Sequence, residues 1–192
     1  VEAGLSYVTD TIRRVRAALP DRAVIGFGGA PWTLATYMVE GGSSKDYRRA
    51  KELFWTDRDT FNTLMQKITD ASVEYFQMQV AAGVDAIQIF DSWGGVLGPD
   101  MFWEASGKWM AQIRAALPDI PVICYPKGAH QHMEDVKRIG ADVMGVDWTT
   151  DLATVRRAAG TMGVQGNLDP ALMGTTPEIV AERTQILLES MR

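Results

Sequence analysis

Apolar and polar positions along this chain follow two rhythms, one of helical period and one of short buried runs. "EAGLSYVTDTIRRVRAAL" repeats apolar residues at helical spacing and stops at Pro20. "AVIGFGG" follows as a strand, Ala23 to about Phe27. "APWTLATYMVEGGSS" reads as a loop or short helix closed by Gly41 and Gly42, and Lys45 to Trp55 fits a helical turn or two. Phe61, Leu64, Met65, Ile68, Ser72, Tyr75 and Phe76 recur at i, i+3, i+4 and i+7, which predicts a long amphipathic helix from about Asp59 to Ala82, ended by Gly83. Beyond it come strand "DAIQIF", helix Pro99 to Leu117, strand "PVICY", a short helix His132 to Ile139 stopped by Gly140, and strand "DVMGVDW". Helix Leu152 to Ala159, strand "GVQGN" and helix Pro177 to Met191 complete the pattern.

Five strand-like runs thus alternate with helices, the βαβ rhythm of an α/β protein. None alternates strictly between apolar and polar, so each reads as buried on both faces, as strands of a parallel sheet are. Two architectures share this rhythm, the open doubly wound sheet and the (β/α)8 barrel. No GxGxxG or GxxxxGK[ST] follows a strand, which removes support from the nucleotide-binding versions. Polar and glycine-rich residues cluster after the strands, at the carboxyl ends where barrels carry their chemistry. A complete barrel takes eight units and roughly 250 residues. The expectation is therefore a partial TIM barrel of about five βα units, with residues 1–192 forming a single domain cut from a longer product, since the chain opens on Val1 without a Met.

Composition narrows the function class. Apolar residues make up 46% and charged residues 22%, which fits an ordered globular domain. A net charge of −5 argues against a nucleic-acid surface and leaves room for an anionic small molecule met by a few local cations. No apolar stretch has the length of a membrane span, and no signal peptide is visible. The lone Cys124 lies in an apolar run, reads as a core residue and fits a reducing compartment.

Candidate chemistry gathers at the strand ends. The first strand leads into Gly28, Gly29 and, further on, Tyr37, whose hydroxyl sits on an apolar body. The second ends in Asp91, Ser92 and Trp93 before Gly94 and Gly95. Turn capping accounts for Asp91 and Ser92 equally well. The third brings Lys127, the one cation placed at a strand end, followed by His130 and His132, which would not share a helix face. With no Cys or carboxylate at ligand spacing beside them, a zinc site is not expected. Asp147, Asn167 and Asp169 mark the last two strand ends. No Ser-His-Asp order or GxSxG supports nucleophilic hydrolysis. Read from the residues alone, this is a small-molecule enzyme of parallel α/β type whose reaction stays open.

The stretches "IGFGGAPWTLATYMVEGGSSKDY", "IQIFDSWGGVLGPDMF", "GVDWT" and "QGNLDP" resemble, in order and separation, the signatures of the uroporphyrinogen decarboxylase family. The resemblance covers essentially the whole chain. It implies a (β/α)8 barrel, a homodimer and a cytoplasmic role in haem and tetrapyrrole synthesis. The implied reaction is the decarboxylation of the four acetate side chains of uroporphyrinogen III to give coproporphyrinogen III, without metal or organic cofactor. Carried over by position, Tyr37 matches a tyrosine hydroxyl near the substrate carboxylates. Ser92 matches a hydroxyl residue that binds a substrate side-chain carboxylate. Phe27 and Phe90 match apolar positions that line the cleft beside the macrocycle, although both would otherwise be read as core. The family's arginine motif and the aspartate that contacts the pyrrole nitrogens are expected before Val1, and its "GHG" histidine after Arg192. No catalytic residue is therefore expected within the chain, and these residues alone are expected to fold poorly and be inactive. Two alternatives stand beside this reading: a corrinoid or coenzyme M methyltransferase of the same fold, which would hold zinc through His and Cys at strand ends, and an inactive remnant.

Overall fold

The computed structural model describes residues 1–42 and 44–191; Ser43, within the first quoted signature, and Arg192, the end of the expected domain, lie outside the described residues. Helix α1 (Glu2–Ala18) precedes β1 (Ile25–Gly29), α2 (Pro31–Glu40), α3 (Arg48–Thr56), α4 (Arg58–Ala81) and β2 (Ala86–Asp91). Then come α5 (Lys108–Ala115), β3 (Val122–Pro126), α6 (Met133–Arg138), β4 (Val143–Gly145), α7 (Leu152–Ala159), β5 (Gly163–Gln165) and α8 (Pro177–Ser190).

Local chemistry sets most of these limits. Asp57 caps α4 by accepting from the Thr60 amide at 3.0 Å, and Asp151 caps α7 through the Thr154 amide, also at 3.0 Å. Pro31 opens α2 where an amide donor would be unused, and Gly41 closes it in the left-handed conformation at φ 74°.

The five strands form one parallel sheet in the order β1-β2-β3-β4-β5. A doubly wound sheet reverses its strand order at a switch point. This one advances monotonically, as consecutive βα units of a (β/α)8 barrel do. The registers Phe27↔Gln88, Gly29↔Phe90 and Phe90↔Tyr125 fix which side chains share a face.

One face carries the core. Ile87, Ile89, Val122, Cys124 and Met144 are buried in one cluster with Phe76, Met110 and Ile113 of α4 and α5. Gly26 and Gly28 let α4 approach β1: a Cβ on Gly28 would stand 2.9 Å from the Phe76 ring. Burial pushes the Cys124 thiol up to about 12, so it is an inert core group.

The opposite face corrects the expectation that every strand is buried on both sides. β2 and β3 alternate strictly between buried and half-buried positions. Ile25 and Phe27 are 49% and 61% exposed, because the helices cover one face and no described residue covers the other.

Two boundaries also differ from expectation. β1 starts at Ile25 because the Val24 amide is taken by the Asp85 carboxylate at 2.7 Å. The helix expected from Pro99 begins instead with a wide π-helical turn, Trp103–Gly107, which brings Ser106 into the core.

Candidate active site

The carboxyl ends of β1 and β2 are tied by the Ala30 amide, which donates to the Phe90 carbonyl at 2.8 Å. On the uncovered face the Phe27 and Phe90 rings meet edge to face, 6.0 Å between centroids. Phe90 meets Tyr125 the same way at 5.8 Å. Three adjacent strands therefore present one aromatic row, in a geometry that aromatic quadrupoles favour. Tyr125 lies across β4, where a Cβ on Gly145 would stand 2.7 Å from its ring.

Tyr37 reaches the same end of the sheet from α2. Its ring packs edge to face against Trp93 at 6.3 Å, and Tyr47 meets Trp93 in a tilted arrangement at 4.8 Å. The Trp93 carbonyl accepts from the Trp32 indole N–H at 3.0 Å, which ties α2 to the β2 loop. Ser92 precedes Trp93 and is half-buried, while Tyr37 is 46% exposed. Phe27 and Phe90 are thus in contact, and Tyr37 stands beside the residue that follows Ser92.

Asp91 points the other way, into the core. Oδ1 accepts from the Thr33 hydroxyl at 2.8 Å and Oδ2 from the Ser106 hydroxyl at 2.6 Å. Burial raises its pKa from the ordinary 3.8 to about 6, against the pull of those hydroxyls and the Trp93 amide. Thr33 lies one helical turn before Tyr37 on α2, so this carboxyl brackets the elements that carry Tyr37 and Ser92.

The remaining strand ends are held by turn chemistry. Asp147 accepts from the Gly128 amide at 2.7 Å and the Thr149 amide at 3.0 Å. Burial pushes its pKa up, but hydrogen bonds from Thr149 and Gly128 outweigh that and hold it below the ordinary value. Asn167 donates to the Asp147 carbonyl at 2.9 Å and the Thr150 carbonyl at 2.6 Å. Asp169 accepts from the Ala171 amide at 2.8 Å. The two histidines diverge: His130 Nδ1 pairs with the Thr150 hydroxyl at 2.7 Å, whereas His132 lies 3.0 Å from the Leu97 carbonyl and stacks on Phe102. Among the described residues, no group of three His, Cys, Asp or Glu side chains could hold a metal ion.

Tyr125 joins the row of Phe27 and Phe90, and sequence reasoning missed it. The signal available was parity: it stands two positions before Lys127 and faces the same way as Phe90 once the strands are registered.

A family model described as "Uroporphyrinogen decarboxylase (URO-D)" matches residues 1–192. A protein named uroporphyrinogen decarboxylase from Legionella pneumophila (strain Lens) is 43% identical over 196 residues, covering 99% of this chain and 56% of that protein. Proteins of the same name from Idiomarina loihiensis (strain ATCC BAA-735 / DSM 15497 / L2-TR) and Coxiella burnetii (strain RSA 493 / Nine Mile phase I) are each 40% identical over 198 residues, with 99% of this chain and 55% of each protein covered. The chain thus spans about half the length of the curated relatives it matches. The match along the whole chain, on a parallel sheet that advances strand by strand, makes this chain a member of the uroporphyrinogen decarboxylase family.

Proposed function

We propose that this chain supplies the central strands of a uroporphyrinogen decarboxylase, residues 1–192 belonging to one barrel domain. The reaction removes carbon dioxide from the four acetate side chains of uroporphyrinogen III and yields coproporphyrinogen III, in haem and tetrapyrrole synthesis. The relatives' names and 40–43% identity support the activity. The observation that carries it at the site is the aromatic row Phe27, Phe90 and Tyr125 on the face opposite the core, at the strand ends that lead to Ser92 and, through Trp93, to Tyr37.

That arrangement suits an apolar macrocycle fringed with carboxylates. Phe27 and Phe90 take the ring face, excluding water from it. Ser92 and Tyr37 donate hydroxyl hydrogen bonds to side-chain carboxylates, and such charge-assisted bonds are the stronger kind. Loss of CO₂ leaves a carbanion, for which a pyrrole protonated on carbon is the electron sink. A carboxylate outside this chain then stabilises the cationic ring, placing charge where charge develops. The whole enzyme works as a homodimer in the cytoplasm.

The test is turnover of uroporphyrinogen III by the full-length protein, followed as coproporphyrinogen formed. Tyr37→Phe and Ser92→Ala should each lower kcat/KM by about tenfold or more, the loss of one hydrogen bond to a charged group, with unchanged thermal unfolding. No turnover by the full-length wild type would refute the activity, and wild-type kinetics in both variants would refute the two roles.

A further inference from the structure

Lys127 follows β3 directly, two positions beyond Tyr125 of the aromatic row. Its backbone is gripped by the β2 loop: the Lys127 amide donates to the Asp91 carbonyl at 3.1 Å, and its carbonyl accepts from the Gly95 amide at 2.9 Å. Lys127 is thereby held by its backbone against the end of β2. Its Nζ lies 5.1 Å from the centre of the Trp148 ring, and that indole is 40% exposed. A cation over an indole is held in place while its charge stays unneutralised.

The carboxylates of this rim are already engaged by neutral donors. Asp147 takes Gly128 and Thr149, Asp151 takes Thr154, and Asp169 takes the Ala171 amide, while Asp91 is turned into the core. Among the described residues, no ion pair involves Lys127. An ammonium steadied by an indole, on a rim whose Asp147 and Asp151 already accept from backbone amides, suits an anionic partner.

We propose that Lys127 and Trp148 form a carboxylate subsite, in which the ammonium binds one side-chain carboxylate of the substrate and the indole packs against that side chain's methylene groups. The ligand's identity rests on the decarboxylase reading; the subsite itself rests on the local charge arrangement. Ser92 follows β2 and Lys127 follows the adjacent β3, so a serine hydroxyl and an ammonium on neighbouring strand ends would receive carboxylates of one polyanion.

The experiment uses the full-length protein and the variants Lys127→Met and Lys127→Arg. Loss of one charge-assisted contact should raise KM for uroporphyrinogen III about tenfold in Lys127→Met at near-constant kcat, and flatten the salt dependence of kcat/KM. Lys127→Arg keeps the charge and should stay within about threefold of wild type. A KM within about twofold of wild type in a folded Lys127→Met protein would overturn the subsite. A second measurement needs no variant: the acetylation rate of Lys127 in wild-type protein, read by mass spectrometry with and without saturating uroporphyrin III. Protection of about fivefold or more is expected, since an ammonium paired with a carboxylate loses its free amine; equal rates would overturn the proposal. A wild type that fails to turn over uroporphyrinogen yet shows this protection would remove the decarboxylase reading and leave the subsite standing.

Discussion

The Ser106 hydroxyl donates to Oδ2 of Asp91 across 2.6 Å, joining the wide turn Trp103–Gly107 to the last residue of β2. With Thr33 on the other oxygen, the carboxyl is fully buried and its pKa is raised to about 6. A raised carboxyl pKa means the folded state favours the protonated form. The stabilisation is complete below about pH 3.8 and is lost as pH rises through about 6. A displacement of that size corresponds to about 3 kcal/mol. Asp91→Asn, neutral at every pH, should therefore gain on wild type between pH 4 and 6 and keep a constant difference above pH 7, in thermal unfolding of full-length protein. A difference independent of pH would contradict the burial argument.

Phe27 and Phe102 should respond in opposite ways. Phe102 is fully buried and stacked on His132 at 4.7 Å, so Phe102→Ala should cost about 3–5 kcal/mol of stability. Phe27 lies outside the core cluster, on the opposite face against Phe90, and Phe27→Ala should cost less stability than Phe102→Ala while raising KM for uroporphyrinogen. Denaturant midpoints and steady-state kinetics on the same preparations separate the two, and a large stability loss in Phe27→Ala would place that ring in the core.

Gly95 sets how closely two strand-end loops approach. A Cβ there would stand 2.7 Å from the Lys127 carbonyl oxygen and 2.9 Å from the Gly128 backbone, neither of which can swing aside. Gly95→Ala should destabilise by about 1–3 kcal/mol and lower kcat/KM, because the loops carrying Ser92 and Lys127 must separate. Stability and kinetics matching wild type would show that the loops are not held together.

The long helices were legible because their period persists. Over α4 the apolar stripe repeats through many turns, and α7 falls on its expected bounds, Leu152–Ala159. The strands were legible as elements but not by face. In "AIQIF" only Gln88 interrupts an apolar run, so nothing local says that Ile87 and Ile89 pack inward while Phe90 looks out. The expectation that Phe27 and Phe90 line a cleft came from resemblance alone. Tyr125 escaped notice because its partner is set by the register Phe90↔Tyr125, a relation between strands. Asp91 was ambiguous for the same reason: Ser106 lies in another element, and no local pattern foretells a side chain reached across the fold.

The strict alternation of β2 and β3 makes genetics periodic. A saturation library scored once for cellular abundance and once for rescue of growth would show its two losses out of phase along these strands. Ile87, Ile89, Val122 and Cys124 would dominate the first profile, with Phe90 and Tyr125 prominent only in the second. Inherited or engineered variants in these segments could then be sorted by odd or even position into those that deplete the protein and those that leave it abundant but idle.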